Sequence, residues 1–281
     1  MCQTTNRLVP GLALGLILVL GACSDNNNNN GNSENPETGP DPVSIETPNA
    51  DRCEILDSEN CMFPWPSSAF TVSDDASVTG LRISLNRESM PANKQGVKVD
   101  VAEWNRNDGF SPSQMLLALV PGVDMEQTGA PPITDLEESL DPAAPVVVIR
   151  ASTGEQHLVF AELDANTDDP SQQTLIVRPM VQFERGERYI VALRNMRDAA
   201  GDLLEAPEVF RAFRDDTLTD NEAIEERRDA MEDIFATLAD AGIARDELYL
   251  AWDFTIASVE NITERVLHIR DDAFASLGNA A

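Results

Sequence analysis

The chain has 281 residues and a formal net charge of −29, from 49 acidic and 20 basic groups. So acidic a surface repels nucleic acid and anionic lipid head groups, which argues against a DNA- or RNA-binding role. The length suffices for one large domain or two small ones with a proper core. Only Lys94 and Lys98 are lysines, so nearly all the cations are arginines.

Taken in order, the chain opens on Arg7 and then an uncharged apolar run over residues 8–20, closed by Leu20-Gly21-Ala22-Cys23 and followed by polar residues. That is the shape of a secretory signal. The run is shorter than the roughly 20 residues a bilayer-spanning helix needs. Leu20-Gly21-Ala22-Cys23 resembles the lipobox of bacterial lipoproteins. The resemblance implies cleavage before Cys23, a lipid on Cys23 and attachment to a membrane through that lipid. Ser24, where an aspartate would alter sorting, implies the outer membrane of the cell envelope. The plainer alternative is a cleaved signal with a chance cysteine. Residues 1–22 are therefore read as a signal peptide. Residues 23–50, with the asparagine run 26–30 and many Gly, Ser, Glu and Pro, are read as a disordered tether.

Cys2 leaves with the signal and Cys23 takes the lipid, which leaves Cys53 and Cys61 as a pair. In an oxidising compartment they are expected to form a disulfide. The alternative, a metal pair, lacks a neighbouring histidine or further cysteine.

Residues 61–70 carry Phe63, Trp65 and Phe70 between Pro64 and Pro66, which bar a helix interior or a central strand. An extended edge segment laying its aromatic rings on the core is expected; the alternative is an exposed aromatic ligand site. Residues 80–85 and 96–101 alternate apolar and polar side chains, as half-buried strands do. Residues 104–112 form a loop rich in turn residues, and 115–120 an apolar strand stopped by Pro121 and Gly122. Further strands are expected at 145–150, 157–163 and 174–178. Residues 175–193 read as strand, turn at Gly186 and strand, and residues 209–213 as a closing strand. Many short strands at this spacing predict a mainly β protein, with an Ig-like β-sandwich over residues 51–215.

The period then changes. Residues 220–241 place Ile224, Met231, Ile234, Phe235 and Leu238 on one helical face, with Thr219 or Asp220 as cap and Gly242 as stop. Residues 248–256 read as a strand. Asn261 to Glu264 resembles a capping box for a last helix carrying Val266, Ile269, Phe274 and Leu277. Residues 216–281 are thus expected to form a helix–strand–helix extension.

No catalytic constellation stands out. There is no G-x-S-x-G. The nearest run, Gly109-Phe110-Ser111-Pro112-Ser113, has serine in the last glycine's place and a proline after Ser111. His157 and His268 are the only histidines, and both read as structural or surface residues. Asp164, Asp168 and Asp169 cluster in a turn that has oxygens for calcium, but a solvated acidic turn is the plainer reading. No P-loop or G-x-G-x-x-G occurs. No catalytic, cofactor-binding or metal-binding residue is assigned, and no cofactor is expected.

Four features in this order carry a family resemblance: Phe63-Pro64-Trp65-Pro66-Ser67-Ser68-Ala69-Phe70, the Gly186–Tyr189–Val191 passage, Asp198-Ala199-Ala200-Gly201 and Trp252-Asp253-Phe254-Thr255. Together, over residues 53–256, they look like the N-terminal region of bacterial lipoprotein lipases of the virulence-factor type. There an Ig-like β domain precedes an α/β-hydrolase-like portion that holds the serine nucleophile. The resemblance implies an accessory region without catalytic residues of its own, with residues 216–281 leading into a hydrolase portion. A full-length relative would be a serine lipase or esterase. The rival expectation is a free-standing surface lipoprotein that binds a protein or glycan partner.

Overall fold

Aliphatic and β-branched runs set between turn residues become strands, and the last third becomes helical. The computed structural model describes residues 41–278; the apolar leader, Cys23, Ser24 and the tether up to residue 40 lie outside the described residues. In chain order the elements are β1 (Thr71–Ser73), β2 (Leu81–Ile83), β3 (Leu116–Leu119), the one-turn α1 (Met125–Thr128), β4 (Val146–Arg150), β5 (Val159–Leu163), β6 (Thr174–Pro179) and β7 (Arg188–Arg194). Then come α2 (Glu208–Arg214), α3 (Glu222–Asp240), β8 (Leu248–Thr255) and α4 (Val259–Leu277). The strands form three antiparallel sheets: a β1–β2 pair, a β3–β6–β5 sheet and a β4–β7–β8 sheet.

The β4–β7–β8 sheet is the centre. Ile190, Val191, Ala192 and Leu193 of β7, and Ala251 and Trp252 of β8, are fully buried. Continuous burial along a strand means that both faces are covered. Helices α2 and α3 pack against β8. Arg188 spans from Asp253 of β8 (2.6 Å) to Asp233 of α3. From the neighbouring position, Trp252 Nε1 donates to the carbonyl of Pro66 at 2.9 Å, in the aromatic segment.

That segment is extended at the edge, as expected: Trp65 exchanges backbone hydrogen bonds with Leu117 of β3 at 2.8 and 2.7 Å. Phe70 is buried, whereas Phe63 and Trp65 remain half-buried. Beside the segment lies a buried ion pair. Glu54 is fully buried and accepts from both Nη atoms of Arg227 on α3, from Ser67 Oγ and from the Leu56 N–H at 3.2 Å.

Several expectations are corrected. Residues 175–193 do not form a hairpin: β6 pairs with β3 and β5, whereas β7 pairs with β4 and β8. The connection, residues 180–187, is too long for a tight hairpin turn and carries the chain from one sheet to the other. Residues 209–213 are not a strand but the body of α2. Val209, Phe210, Ala212 and Phe213 bury one helical face, Glu208 lies in the first turn, and Arg211 and Arg214 lie in the last, which suits the helix dipole. Residues 96–101 form no strand beyond one bridge between Ala92 and Lys98, because Val97 has no core to face.

The chain does not divide at 215/216, since β8 completes the central sheet and residues 41–278 form one unit. Nor does the tether reach residue 50. Val43 bridges to Thr219, Ile45 is buried, and Asn221 Nδ2 donates to Ile45 O (2.8 Å) and Thr47 Oγ1 (2.9 Å). Two caps also move: Asn221 caps α3 and Ser258 caps α4. Gly242, at φ +82°, follows α3 as expected.

Two predictions follow from these ties. Arg227→Met strands the Glu54 carboxylate in the core and should cost about 3–5 kcal/mol in urea unfolding. Glu225 is held down at about 2, from an ordinary 4.5, chiefly by hydrogen bonding to Arg228 and then to Thr219. A depressed carboxylate stabilises the fold above its unfolded value, and that contribution is lost as pH falls from about 4.5 toward 2. Glu225→Gln should therefore flatten the fall of stability across that acid window, read by thermal melts at each pH.

Candidate functional site

Two clefts and an exposed apolar helical face meet around the start of α4. Ser258 Oγ accepts from the Asn261 N–H at 3.1 Å, and the buried Asp108 accepts from the Ser258 N–H at 3.0 Å. These bonds fix the first turn of α4 against the 104–110 loop. Arg265 adds an exposed ion pair to Glu103 at 3.0 Å. No side chain of α4 is buried. Val259, Ile262, Val266, Ile269, Phe274 and Leu277 nevertheless share one helical face and are 39% to 66% exposed.

Two clefts flank this first turn. One, of about 360 Å³, is walled by Trp65, Ile83, Leu85, Trp104, Phe110, Pro112 and Ile262, with Asn107, Ser111, Gln114 and Asn261 as its polar members. The other, of about 550 Å³, carries Arg82, Glu103, Arg106, Asp108, Glu264, Arg265 and His268. They meet at Asn107 and Asn261. Gly109 builds the floor of the first. A Cβ there would stand 2.5 Å from the Ala257 nitrogen, so only glycine lets the 109–110 chain lie flat on residues 255–257. Phe110 then pairs with that segment through 2.8 and 2.9 Å backbone bonds and presents its ring to Trp65, 5.2 Å between centroids.

Ser111 lies on this cleft, where its Oγ accepts from the Ser113 N–H at 3.4 Å. Among the described residues no histidine side chain hydrogen-bonds a serine. His157 stacks on Phe183 with centroids 4.4 Å apart, and its Nε2 lies 3.0 Å from the Val181 carbonyl. Burial holds it below the ordinary histidine value. His268 lies on the charged cleft. The arrangement therefore supplies no activated nucleophile.

The acidic turn is occupied with itself. Asp164 accepts from Asn166, and Asp169 from Ser171 N–H and Oγ at 3.0 and 2.7 Å. Among the described residues no group of three or more His, Cys, Asp or Glu is arranged to hold a metal ion.

Cys53 and Cys61 form a disulfide, with Cα atoms 4.4 Å apart. Its loop borders a third cleft, of about 260 Å³, with Asp57, Phe63 and Tyr249. Burial pushes the Asp57 carboxyl up, and burial with the Asp57 charge pushes Tyr249 up to about 12. The 61–70 segment, with Trp65, carried the alternative of an aromatic ligand site; its partners in the 104–112 loop were not expected, because they lie in a loop. Trp104 and Phe110 among turn residues were the signal that could have found them.

Non-reducing peptide mapping should recover Cys53 linked to Cys61, and Cys61→Ser should cost about 2–3 kcal/mol on the chain-entropy estimate. In an NMR titration His157 should ionise below 6.5, the lowered value that its burial implies.

Comparison of the chain with protein-family models, with curated proteins and with solved structures gave no match.

Proposed function

We propose that this chain is a lipid-anchored protein of the bacterial cell envelope that serves as the accessory N-terminal region of a lipase- or esterase-like protein. In this reading it carries no catalytic residues of its own and docks a hydrolase portion on α4. The observation that carries the reading is the apolar face of α4, exposed from Val259 to Leu277 beyond a first turn tied to the body. Water makes such a face costly, and a protein surface of matching shape removes the cost.

The Ig-like part of the reading is supported by two three-stranded antiparallel sheets between which the chain crosses. At that crossover Tyr189 Oη accepts from the Glu184 N–H at 2.9 Å, as in the tyrosine corner of Ig-like sandwiches. Attachment rests on Cys23 and an outer-membrane position on Ser24. No described helix is long and apolar enough to cross a membrane.

The test isolates the native protein from envelopes and labels it with a fluorophosphonate, which marks active serine hydrolases. A labelled hydrolase portion should accompany the wild type. Val266→Ser, Ile269→Ser and Phe274→Ser combined should release a separate portion, or leave a covalently joined one open to limited proteolysis after α4, with little change in melting temperature because these side chains are largely exposed. An envelope protein isolated with no labelled portion would overturn the accessory role. Cys23→Ser should move the chain from the membrane to the soluble fraction; retention in the membrane would sink the anchor.

A further inference from the structure

We propose that the cleft between Trp65, Trp104, Phe110 and Ile262 binds a neutral, mostly apolar small molecule that carries an amide- or hydroxyl-type group. This inference does not depend on the docking role of α4.

Charge is the first argument. A quarter of the chain is Asp, Glu, Lys or Arg, yet among the described residues no charged side chain lines this cleft. The adjoining cleft, which shares two of its residues, is crowded with arginines and carboxylates. A charged ligand would leave water for an apolar wall without a counter-charge, at a cost of several kcal/mol. A neutral one incurs no such cost.

Shape and exposure are the second. The volume of about 360 Å³ falls in the small-molecule range, about 300–1,000 Å³. Trp104 is 49% exposed at the rim, although burying an indole is among the larger apolar gains a fold can make. A ligand seated against Trp104 would cover its exposed ring, with the buried Phe110 forming the wall behind it.

Polar satisfaction is the third. Gln114 Nε2 and Asn261 Oδ1 are buried without a hydrogen-bond partner among the described residues, and both residues line the cleft. One is a donor and the other an acceptor. A buried unpaired group costs about 1–3 kcal/mol. Rotation of either terminal amide toward the cleft would let a ligand's amide or hydroxyl remove that cost. An apolar body with one such group matches what the walls present.

The test uses the full chain carrying Cys23→Ser, isolated without detergent, and the neutral dye N-phenyl-1-naphthylamine as probe. The expected result is saturable binding of one dye per chain, with energy transfer from tryptophan. Ser111→Asp sets a carboxylate at the cleft and can still accept from the Ser113 N–H. It should weaken binding at least tenfold, as should Trp104→Ala, whose side chain is half-exposed; circular dichroism of both should match the parent. The α4 variant with Val266→Ser, Ile269→Ser and Phe274→Ser should bind the dye as the parent does. Non-saturable binding, unchanged affinity in both folded cleft variants, or loss of binding in the α4 variant would each overturn the proposal.

Discussion

The buried pair of Glu54 and Arg227 constrains more of this structure than any other single interaction. A carboxylate and a guanidinium removed from water each incur several kcal/mol, and only complete hydrogen bonding offsets it. Glu54 meets that condition by accepting from α3, from Ser67 and from the Leu56 N–H. Those donors belong to separate parts of the chain, so one carboxylate aligns the disulfide loop, the aromatic segment and the long helix. The alignment continues inward. Pro66, next to Ser67, accepts from the indole of Trp252, and Trp252 stands in the middle of β8. The position of the central sheet relative to the aromatic segment is thus set by polar contacts within an apolar core.

From β8 the chain leads directly to the open region. Thr255 and Ala257 bond the backbone of Phe110, Ser258 starts α4 on Asp108, and the helix then leaves the body. The aromatic cleft and the apolar stripe share Ile262, which lines one and belongs to the other. Two surfaces of different character therefore grow from one rigid strand end. A cleft is better supported there than on a free loop, because strand pairing fixes its floor.

Local patterning made the individual elements legible. β3, β4, β5, β6 and β8 and the long helix α3 lie where apolar spacing and turn residues put them. The cysteine pair was equally plain, since two cysteines remained after the leader and Cys23 were set aside. Residues 209–213 form a helix rather than the expected strand because a short apolar run, here Val, Phe, Arg, Ala and Phe, fits either one. Which period wins depends on what lies opposite, and here β8 and α3 offer a surface for a helix. The 175–193 passage failed for a related reason: two adjacent strands with a glycine turn do not reveal that each has better partners elsewhere.

The sequence by itself determined where the chain can be extended or helical, where it turns, and how strongly acidic its surface is. Only the tertiary structure decided which strands share a sheet, that β8 pairs with β7 in the central sheet, and that no described residue covers the apolar face of α4. The physical reason is range. Turns, caps and side-chain periods are settled by residues within a few positions of one another, whereas sheet partners and buried ion pairs join residues as far apart as Glu54 and Arg227. The aromatic cleft belongs to the second kind, because Trp65, Phe110 and Ile262 meet only after the whole chain has folded.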